Sequence, residues 1–222
     1  MGSVIGQILG EAIGTAISPV PIIAVILTLF SPAAGRNGVA FMLGWLFGTG
    51  AILFVSVAVG SAAESAGGSG GTGIVKILIG AAFLSFAWKQ WAGRPRQGSA
   101  AKLPGWMESI AESSAARALG LGALISTVNP KNLGLALAAG STIAVADLPG
   151  GQQIMVALVY TVLASLTIIL PVLGYLIAPK GMEPVLTAIK KWLIANNALV
   201  MAVLFLALGA KTLAGGIALA VS

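Results

Sequence analysis

Two charged side chains, Glu11 and Lys131, lie inside long apolar stretches of the sequence. An ionisable group is costly to place in lipid, and by default it marks a substrate pathway, a coupling proton or an ion pair. Thr15 and Ser18 follow Glu11 at helical spacing and share its face. We therefore take Glu11 as the candidate for proton or ion coupling. The alternative is that Glu11 lies close enough to the helix end to reach headgroup water.

Lys131 lies near the middle of its apolar stretch, too deep to reach the headgroups easily, so it should meet an anion or carbonyl groups. A lysine beside a helix N-terminus suits a phosphate, sulfate or carboxylate. Hydroxyl and amide side chains surround it, and prolines interrupt both apolar stretches. The candidate substrate-binding residues are Ser18, Pro19, Pro21, Thr127, Asn129, Pro130, Lys131 and Asn132. A structural ion pair between Lys131 and Glu11 is the alternative.

Other side-chain chemistry is scarce. The chain has no Cys and no His, which excludes disulfides, thiol redox chemistry, and thiolate or imidazole metal ligands. Only six residues are acidic, so general acid–base chemistry has few candidates. We expect no catalytic residue, no metal site, no cofactor and no enzymatic activity.

The composition identifies lipid as the solvent. Hydrophobic residues make up 58% of the chain and charged residues 8%, whereas about 25% of a typical soluble protein is charged. So few charges cannot cover the surface of a soluble domain. The composition excludes a soluble globular domain, a disordered chain and a nucleic-acid-binding protein, and predicts that the partners include membrane lipids.

Six apolar segments are long enough to cross a bilayer core, which takes about 20 helical residues. They are Val4–Phe30, Val39–Ala62, Gly73–Trp91, Ala116–Val145, Gln153–Ala178 and Ile194–Ala220. The sequence predicts an all-α integral membrane protein with six transmembrane helices.

Nine of the 12 basic residues fall at one side of these spans. They are Arg36, Lys89, Arg94, Arg96, Lys102, Arg117, Lys180, Lys190 and Lys191. The loops 61–72 and 141–152 on the opposite side contain no Lys or Arg. The positive-inside rule then predicts a multi-pass protein of the cytoplasmic membrane with both termini outside.

The sequence also suggests an internal repeat. Pro19 and Pro130 are 111 residues apart, half of the 222-residue chain, and each interrupts an apolar segment. The pattern K-x-x-A-G closes each half, at Lys89–Gly93 and Lys211–Gly215. Repeats of three spans must enter the membrane from opposite sides, as in many secondary transporters. We predict two inverted three-helix repeats, 1–92 and 116–222, joined by a basic cytoplasmic linker, 93–115, with helices 1 and 4 broken at the prolines.

Several lesser features carry a structural interpretation. Leu103–Ile110 and Met182–Trp192 read as amphipathic helices at the headgroup level, with docking of a partner as the alternative. Lys89 and Lys211 lie near helix ends, where snorkelling explains them. A polar face on the fifth span is expected to make interhelical hydrogen bonds, with cavity lining as the alternative. Its residues are Tyr160, Thr161, Ser165 and Thr167.

Three motifs carry a family resemblance. They are I-S-P-V-P at Ile17–Pro21, F-M-L-G-W-L-F-G at Phe41–Gly48 and N-P-K-N at Asn129–Asn132. With them, the whole chain resembles the lysine exporter superfamily. Within that superfamily it is most similar to the actinobacterial GAP family, the glycolipid- and sulfolipid-addressing proteins.

The resemblance implies a six-helix exporter of two inverted triplets, often a homodimer, that moves cell-envelope glycolipids to the surface. The superfamily's metal exporters use His and acidic residues, and its thiol-electron carriers use paired Cys. The absence of His and Cys disfavours both branches here, while the amino-acid exporter branch stays open.

Taken together, the residues and the resemblance predict a small secondary transporter that exports an anionic, lipid-linked substrate. One alternative is export of a free amino acid or another small solute. The other is a non-transporting accessory subunit of a larger lipid exporter.

Overall fold

The computed structural model describes residues 1–65, 69–94, 110 and 114–220, and these form α-helices without any strand. The eight helices are α1 (Gly2–Ala16), α2 (Pro19–Leu29), α3 (Ala34–Ser65), α4 (Ser69–Ala92), α5 (Ala115–Val128), α6 (Pro130–Ala144), α7 (Gly150–Ile177) and α8 (Pro179–Ala220). The predicted all-α class is confirmed for the described residues.

The break between α1 and α2 follows from Pro19. A proline disfavours helical geometry in the residue before it, and Ser18 is extended, with φ −127° and ψ 102°. Proline is well tolerated at the first position of a helix, because the amide hydrogen that it lacks would have no partner there. A new helix therefore begins at Pro19, bent by 54° from α1.

The same arrangement separates α5 from α6. Asn129 is extended, with φ −73° and ψ 114°, and α6 begins at Pro130. Helix boundaries are thus present at both prolines that the sequence predicted to interrupt helices.

Within the described part of the chain, four helices, α3, α4, α7 and α8, are long and apolar enough to cross a membrane. The bent pair of α1 and α2 makes a fifth span if the two are taken together, and α5 is a shorter apolar helix. The chain is accordingly a multi-pass membrane protein.

The predicted surface helix Met182–Trp192 is not separate from the last span, because both belong to the 42-residue helix α8. No glycine or proline interrupts the sequence between Pro184 and Gly209, so the helix continues. At 1.5 Å per residue, α8 is about 63 Å long, roughly twice the thickness of a bilayer core. Its first part, which carries Lys180, Lys190 and Lys191, therefore extends beyond the core.

The other predicted surface helix, Leu103–Ile110, lies outside the described residues except for Ile110, which is buried. Arg96 and Lys102, with most of the linker 93–115, also lie outside them.

Of the three apolar clusters among the described residues, two lie on either side of the helix breaks, and the third joins α4, α6 and α8. We call the end of the bundle that holds Met1 and Ala220 the terminal side, and the end that holds Arg36, Arg94 and Arg117 the basic side. The terminal-side core includes Val4, Ile8, Leu53, Ile143, Val156 and Tyr160. The basic-side core includes Ile26, Leu29, Phe41, Trp45, Ile168, Val172 and Leu193.

Glycines bring the backbones of α3 and α5 into direct contact. A Cβ atom on Gly122 would lie 2.1 Å from the Phe41 carbonyl oxygen, and one on Gly44 would lie 2.0 Å from the Leu119 carbonyl oxygen. Small residues of this kind let membrane helices pack closely without a hydrophobic driving force. Because α5 leads into the second break, this contact positions that break against α3.

We predict that Gly122→Ala destabilises the protein, because the new methyl group meets backbone atoms that cannot move unless the helices separate. We expect a loss of about 1–3 kcal/mol in the free energy of unfolding, measured by detergent titration of the purified protein. Gly120→Ala is the matched control on the same helix, since nothing lies within 4 Å of its Cβ position. Equal stability of the two variants would contradict the close contact.

Candidate functional site: the meeting of the two helix breaks

The C-terminal end of α1 lies inside the bundle, where its last carbonyl groups have no helical partner. Lys131, on the first turn of α6, supplies two donors: its Nζ atom donates to the Gly14 carbonyl oxygen and, at 3.1 Å, to that of Ile17. The Thr167 hydroxyl of α7 donates to the Ala16 carbonyl oxygen at 2.6 Å. Three helices thus meet at the end of α1.

The electrostatics of this meeting point favour a cation. Lys131 is only 1% exposed, and its ammonium lies against the negative end of the α1 dipole. The sequence predicted that Lys131 would meet an anion or carbonyl groups, and the structure gives carbonyl groups. The alternative, an ion pair between Lys131 and Glu11, is absent, because Glu11 pairs with Lys211.

The second break is closed by amide side chains. The Asn129 side-chain oxygen accepts from the Lys131 backbone amide at 3.0 Å and caps α6. The Asn132 side chain donates across the break to the Ser126 carbonyl oxygen at 3.5 Å. Its own oxygen, Oδ1, is buried without a hydrogen-bond partner in the part of the chain that the structure describes. Asn132 therefore keeps an acceptor at the break.

The hydroxyl groups of Ser126 and Thr127, beside the second break, already have hydrogen-bond acceptors. Ser126 and Thr127 both donate to the Ala123 carbonyl oxygen at 2.8 Å, within their own helix. Ser18 is buried at the first break and makes no capping bond with its side chain. Pro19 and Pro21 are buried in the first turn of α2.

A cavity of about 540 Å³ reaches this meeting point from the basic side. We call it the α4–α5 cleft. Its lining residues are Val20, Phe86, Lys89, Gln90, Leu121, Leu124, Ile125, Val128, Asn129, Pro130, Lys131, Met201 and Phe205. Of the candidate substrate-binding residues, Asn129, Pro130 and Lys131 border the cleft, whereas Ser18, Pro19, Pro21, Thr127 and Asn132 do not.

The cleft is apolar along its length and positively charged at its ends. Lys131 lies at the inner end and Lys89 toward the basic side, and none of the lining residues carries a carboxylate. Exposed apolar side chains, including Phe86, Leu124 and Val128, border its opening. The cleft therefore has the chemical character of a site for an amphiphile with a negative head group.

Glu11 lies on the terminal side, in an ion pair that the sequence did not predict. Lys211 Nζ donates to both carboxylate oxygens, at 3.0 and 2.9 Å, and to the Gln7 carbonyl oxygen at 3.0 Å. The expectation that Lys211 is explained by snorkelling is therefore incomplete. One turn further along α1, the Thr15 hydroxyl bonds to that of Tyr160 at 3.0 Å.

The polar face of α7 makes the interhelical hydrogen bonds that the sequence predicted, except at Thr161. Tyr160 bonds to Thr15, Thr167 to the end of α1, and Ser165 accepts from the Trp45 indole at 3.1 Å. Thr161 donates to a carbonyl group of its own helix. Sequence reasoning did not single out Thr167 as a residue of the site, although its position on this face was a signal.

The family described as "Sap, sulfolipid-1-addressing protein" matches residues 8–218 of the chain. No curated protein and no solved structure matches it. The match includes both helix breaks, the α4–α5 cleft and the Glu11–Lys211 pair.

We predict that Thr167→Val destabilises the protein by about 1 kcal/mol, because it removes a donor from the end of α1 without changing side-chain volume. Thr161→Val is the matched control: it is buried on the same helix but loses only a bond to its own helix. Thermal unfolding of both variants in detergent measures the difference. If Thr161→Val lowers the thermal midpoint as much as Thr167→Val does, the bond from Thr167 to the Ala16 carbonyl oxygen stabilises the protein no more than a bond within one helix.

Proposed function

The chain belongs to the sulfolipid-1-addressing protein family, as its resemblance predicted, and we propose that it is a small secondary transporter of an anionic, lipid-linked substrate. The substrate class is a cell-envelope glycolipid with a negative head group, exported across the cytoplasmic membrane. A sulfolipid, which the family name mentions, is an amphiphile of this chemical class.

The α4–α5 cleft is the observation that carries the proposal. A lipid needs an apolar path for its chains and a polar partner for its head group, and the cleft combines exposed apolar borders with Lys89 and Lys131. Because the opening is bordered by apolar side chains, a lipid can enter it sideways from the bilayer. This favours a lipid over a free amino acid or another small solute, which would need a path from water.

The helix contacts support six spans arranged as two inverted repeats. In these repeats α1 corresponds to α5, α2 to α6, α3 to α7 and α4 to α8. The contact of α3 with α5 and α6 then corresponds to the contact of α7 with α1 and α2. The contacts of α4 with α8 and of α3 with α7 each correspond to themselves, and the contact of α1 with α6 corresponds to that of α2 with α5. A two-fold arrangement of repeats 1–92 and 116–222 accounts for this pattern.

The charges support an orientation. The basic side carries Arg36, Arg94, Arg117 and the lysines at the start of α8, so we place it in the cytoplasm and both termini outside. The Trp91 ring under the Arg94 guanidinium, at 4.1 Å, suits the headgroup region on that side. The cleft then faces the inner leaflet, where a newly made lipid is available.

A mechanism follows from the position of Lys131. An anionic head group at the inner end of the cleft competes with the Gly14 and Ile17 carbonyl groups for the ammonium of Lys131. Binding of the anion then releases the end of α1 from α6, which couples loading to a movement of the two broken helices. Protonation of Glu11 would weaken its pair with Lys211 and free α1 on the terminal side, which is how a proton gradient would enter the cycle.

Two further elements of the proposal concern partners. We propose that the protein assembles as a homodimer, as the family resemblance implies. An accessory role beside a larger lipid exporter is the competing function, and it differs in one respect: the isolated protein would then move nothing.

We predict that Lys89→Met slows the translocation of a fluorescent anionic lipid in proteoliposomes. Loss of a hydrogen bond to a charged group costs about 1.5–3 kcal/mol, which corresponds to a reduction of about tenfold or more. Translocation is measured by extraction of the labelled lipid with albumin, and a zwitterionic lipid with the same chains serves as the reference substrate.

Lys180→Met is the matched control, because Lys180 is exposed on the basic side and does not line the cleft. It should transport at the wild-type rate. Equal translocation rates for Lys89→Met and the wild type would contradict the assignment of the α4–α5 cleft as the lipid-binding site. No movement of lipid by the wild type would favour the accessory role, and counterflow of free amino acids without lipid movement would favour the solute exporter.

A further inference from the structure

A second charged cavity, of about 190 Å³, lies on the terminal side between α1, α4, α6 and α8. We call it the terminal-side pocket. The polar residues that line it are Gln7, Glu11, Lys76, Thr142, Lys211 and Thr212. It shares no lining residue with the α4–α5 cleft.

The charges of the terminal-side pocket do not balance. Two lysines and one carboxylate line it, which leaves a formal charge of +1. Glu11 is held by Lys211 at 2.9 Å. Lys76 has no carboxylate within ion-pair distance among the residues that the structure describes. An uncompensated positive charge on a membrane helix is unfavourable, and an anion in the pocket would relieve it.

Lys76 also has hydrogen-bonding capacity to spare. Its ammonium carries three donors. The one bond that it makes within the described part of the chain is to the Thr142 hydroxyl oxygen, at 3.5 Å, the outer limit of hydrogen bonding. Two donors of Lys76 are therefore available to a ligand.

Thr212 provides a second, independent observation. The residue is 5% exposed, and its hydroxyl has no hydrogen-bond partner among the described residues. Other threonines of this protein, such as Thr142 and Thr161, donate to a carbonyl group of their own helix. A buried hydroxyl without a partner in the wall of a charged pocket is a donor that a bound anion would satisfy.

We propose that the terminal-side pocket binds an oxyanion of the sulfate or phosphate-ester class. Lys76 contributes the charge and two donors, Thr212 a third donor, and the exposed amide of Gln7 a fourth at the mouth. Lys211 neutralises Glu11, so that the carboxylate does not repel the anion. The volume equals that of about six water molecules, which accommodates a tetrahedral group with its ester oxygen.

Two sources could supply this chemistry, a free inorganic anion or the head group of a sulfated or phosphorylated lipid. The inference goes beyond the proposed transport function, since binding at this pocket is measurable without transport.

The test measures sulfate binding to the purified full-length protein in nanodiscs of zwitterionic phosphatidylcholine. Sodium sulfate is compared with sodium chloride at the same ionic strength, by calorimetry and by the thermal midpoint. We expect sulfate to raise the thermal midpoint above its value in chloride, and Lys76→Met to weaken sulfate binding about tenfold. Lys180→Met, which removes a lysine outside the pocket, should bind as the wild type does.

Thr212→Val is the second variant, since it removes the hydroxyl group at nearly constant volume. We expect a several-fold loss of sulfate affinity with a thermal midpoint in chloride equal to that of the wild type. The site would be overturned if sulfate acted no better than chloride on the wild type. It would also be overturned if Lys76→Met and Thr212→Val both bound sulfate as tightly as the wild type does.

A further arm distinguishes the sources. Cholesteryl sulfate and cholesterol are each added to the nanodiscs, and displacement of sulfate is measured. If cholesteryl sulfate displaces sulfate at a concentration well below that of free sulfate, and cholesterol does not, the pocket is assigned to a lipid head group. Displacement only at matched sulfate concentration assigns it to the free anion.

Discussion

The rest of the structure depends on the need to satisfy the carbonyl groups at the end of a helix that stops inside the membrane. In lipid, each unsatisfied backbone group costs several kcal/mol, so a helix can end there only where protein or trapped water supplies donors. The end of α1 meets this requirement through Lys131 and Thr167. Because these two residues belong to α6 and α7, the end of one helix determines how three elements pack.

That solution also explains why the second break lies where it does. Lys131 reaches the end of α1 only because α6 begins at Pro130, one residue earlier, with Asn129 as its cap. The close backbone contact between α3 and α5 holds the other part of the broken helix in place. Lys131 caps α1 through hydrogen bonds to neutral carbonyl groups. An anion can replace these carbonyl groups as the partner of its ammonium. In the proposed cycle, the ammonium of Lys131 would therefore cap α1 in one state and bind the anionic head group in the other.

The sequence predicted the features that arise from single residues or short motifs. The helix breaks follow from Pro19 and Pro130, and the buried position of Lys131 follows from its distance from the ends of an apolar stretch. Contacts between distant segments were not predictable in this way. Glu11 and Lys211 are 200 residues apart, and no local pattern pairs them. Thr127 was a candidate substrate ligand, but like the neighbouring Ser126 it donates to a carbonyl group of its own helix, as hydroxyl groups in helices often do. The composition of Met182–Trp192 predicted a surface helix separate from the last span. The two segments instead form one continuous helix, because no helix-breaking residue lies between them.

The two halves of the proposed repeat differ in their charges, and this difference would give the proposed transport cycle a direction. The K-x-x-A-G pattern places Lys89 in the last turn of α4 and Lys211 in the C-terminal part of α8. Lys211 has a carboxylate partner, Glu11, whereas the residue 111 positions after Glu11 is Gly122, which has no side chain to offer. Lys89 consequently lines the α4–α5 cleft without a carboxylate among the lining residues. An anion that enters from the basic side meets Lys89 and Lys131 with no competing carboxylate among the lining residues, while on the terminal side Glu11 is already paired with one of the two lysines. Binding is therefore expected to be stronger on the basic side and release easier on the terminal side, which is the asymmetry that an exporter needs.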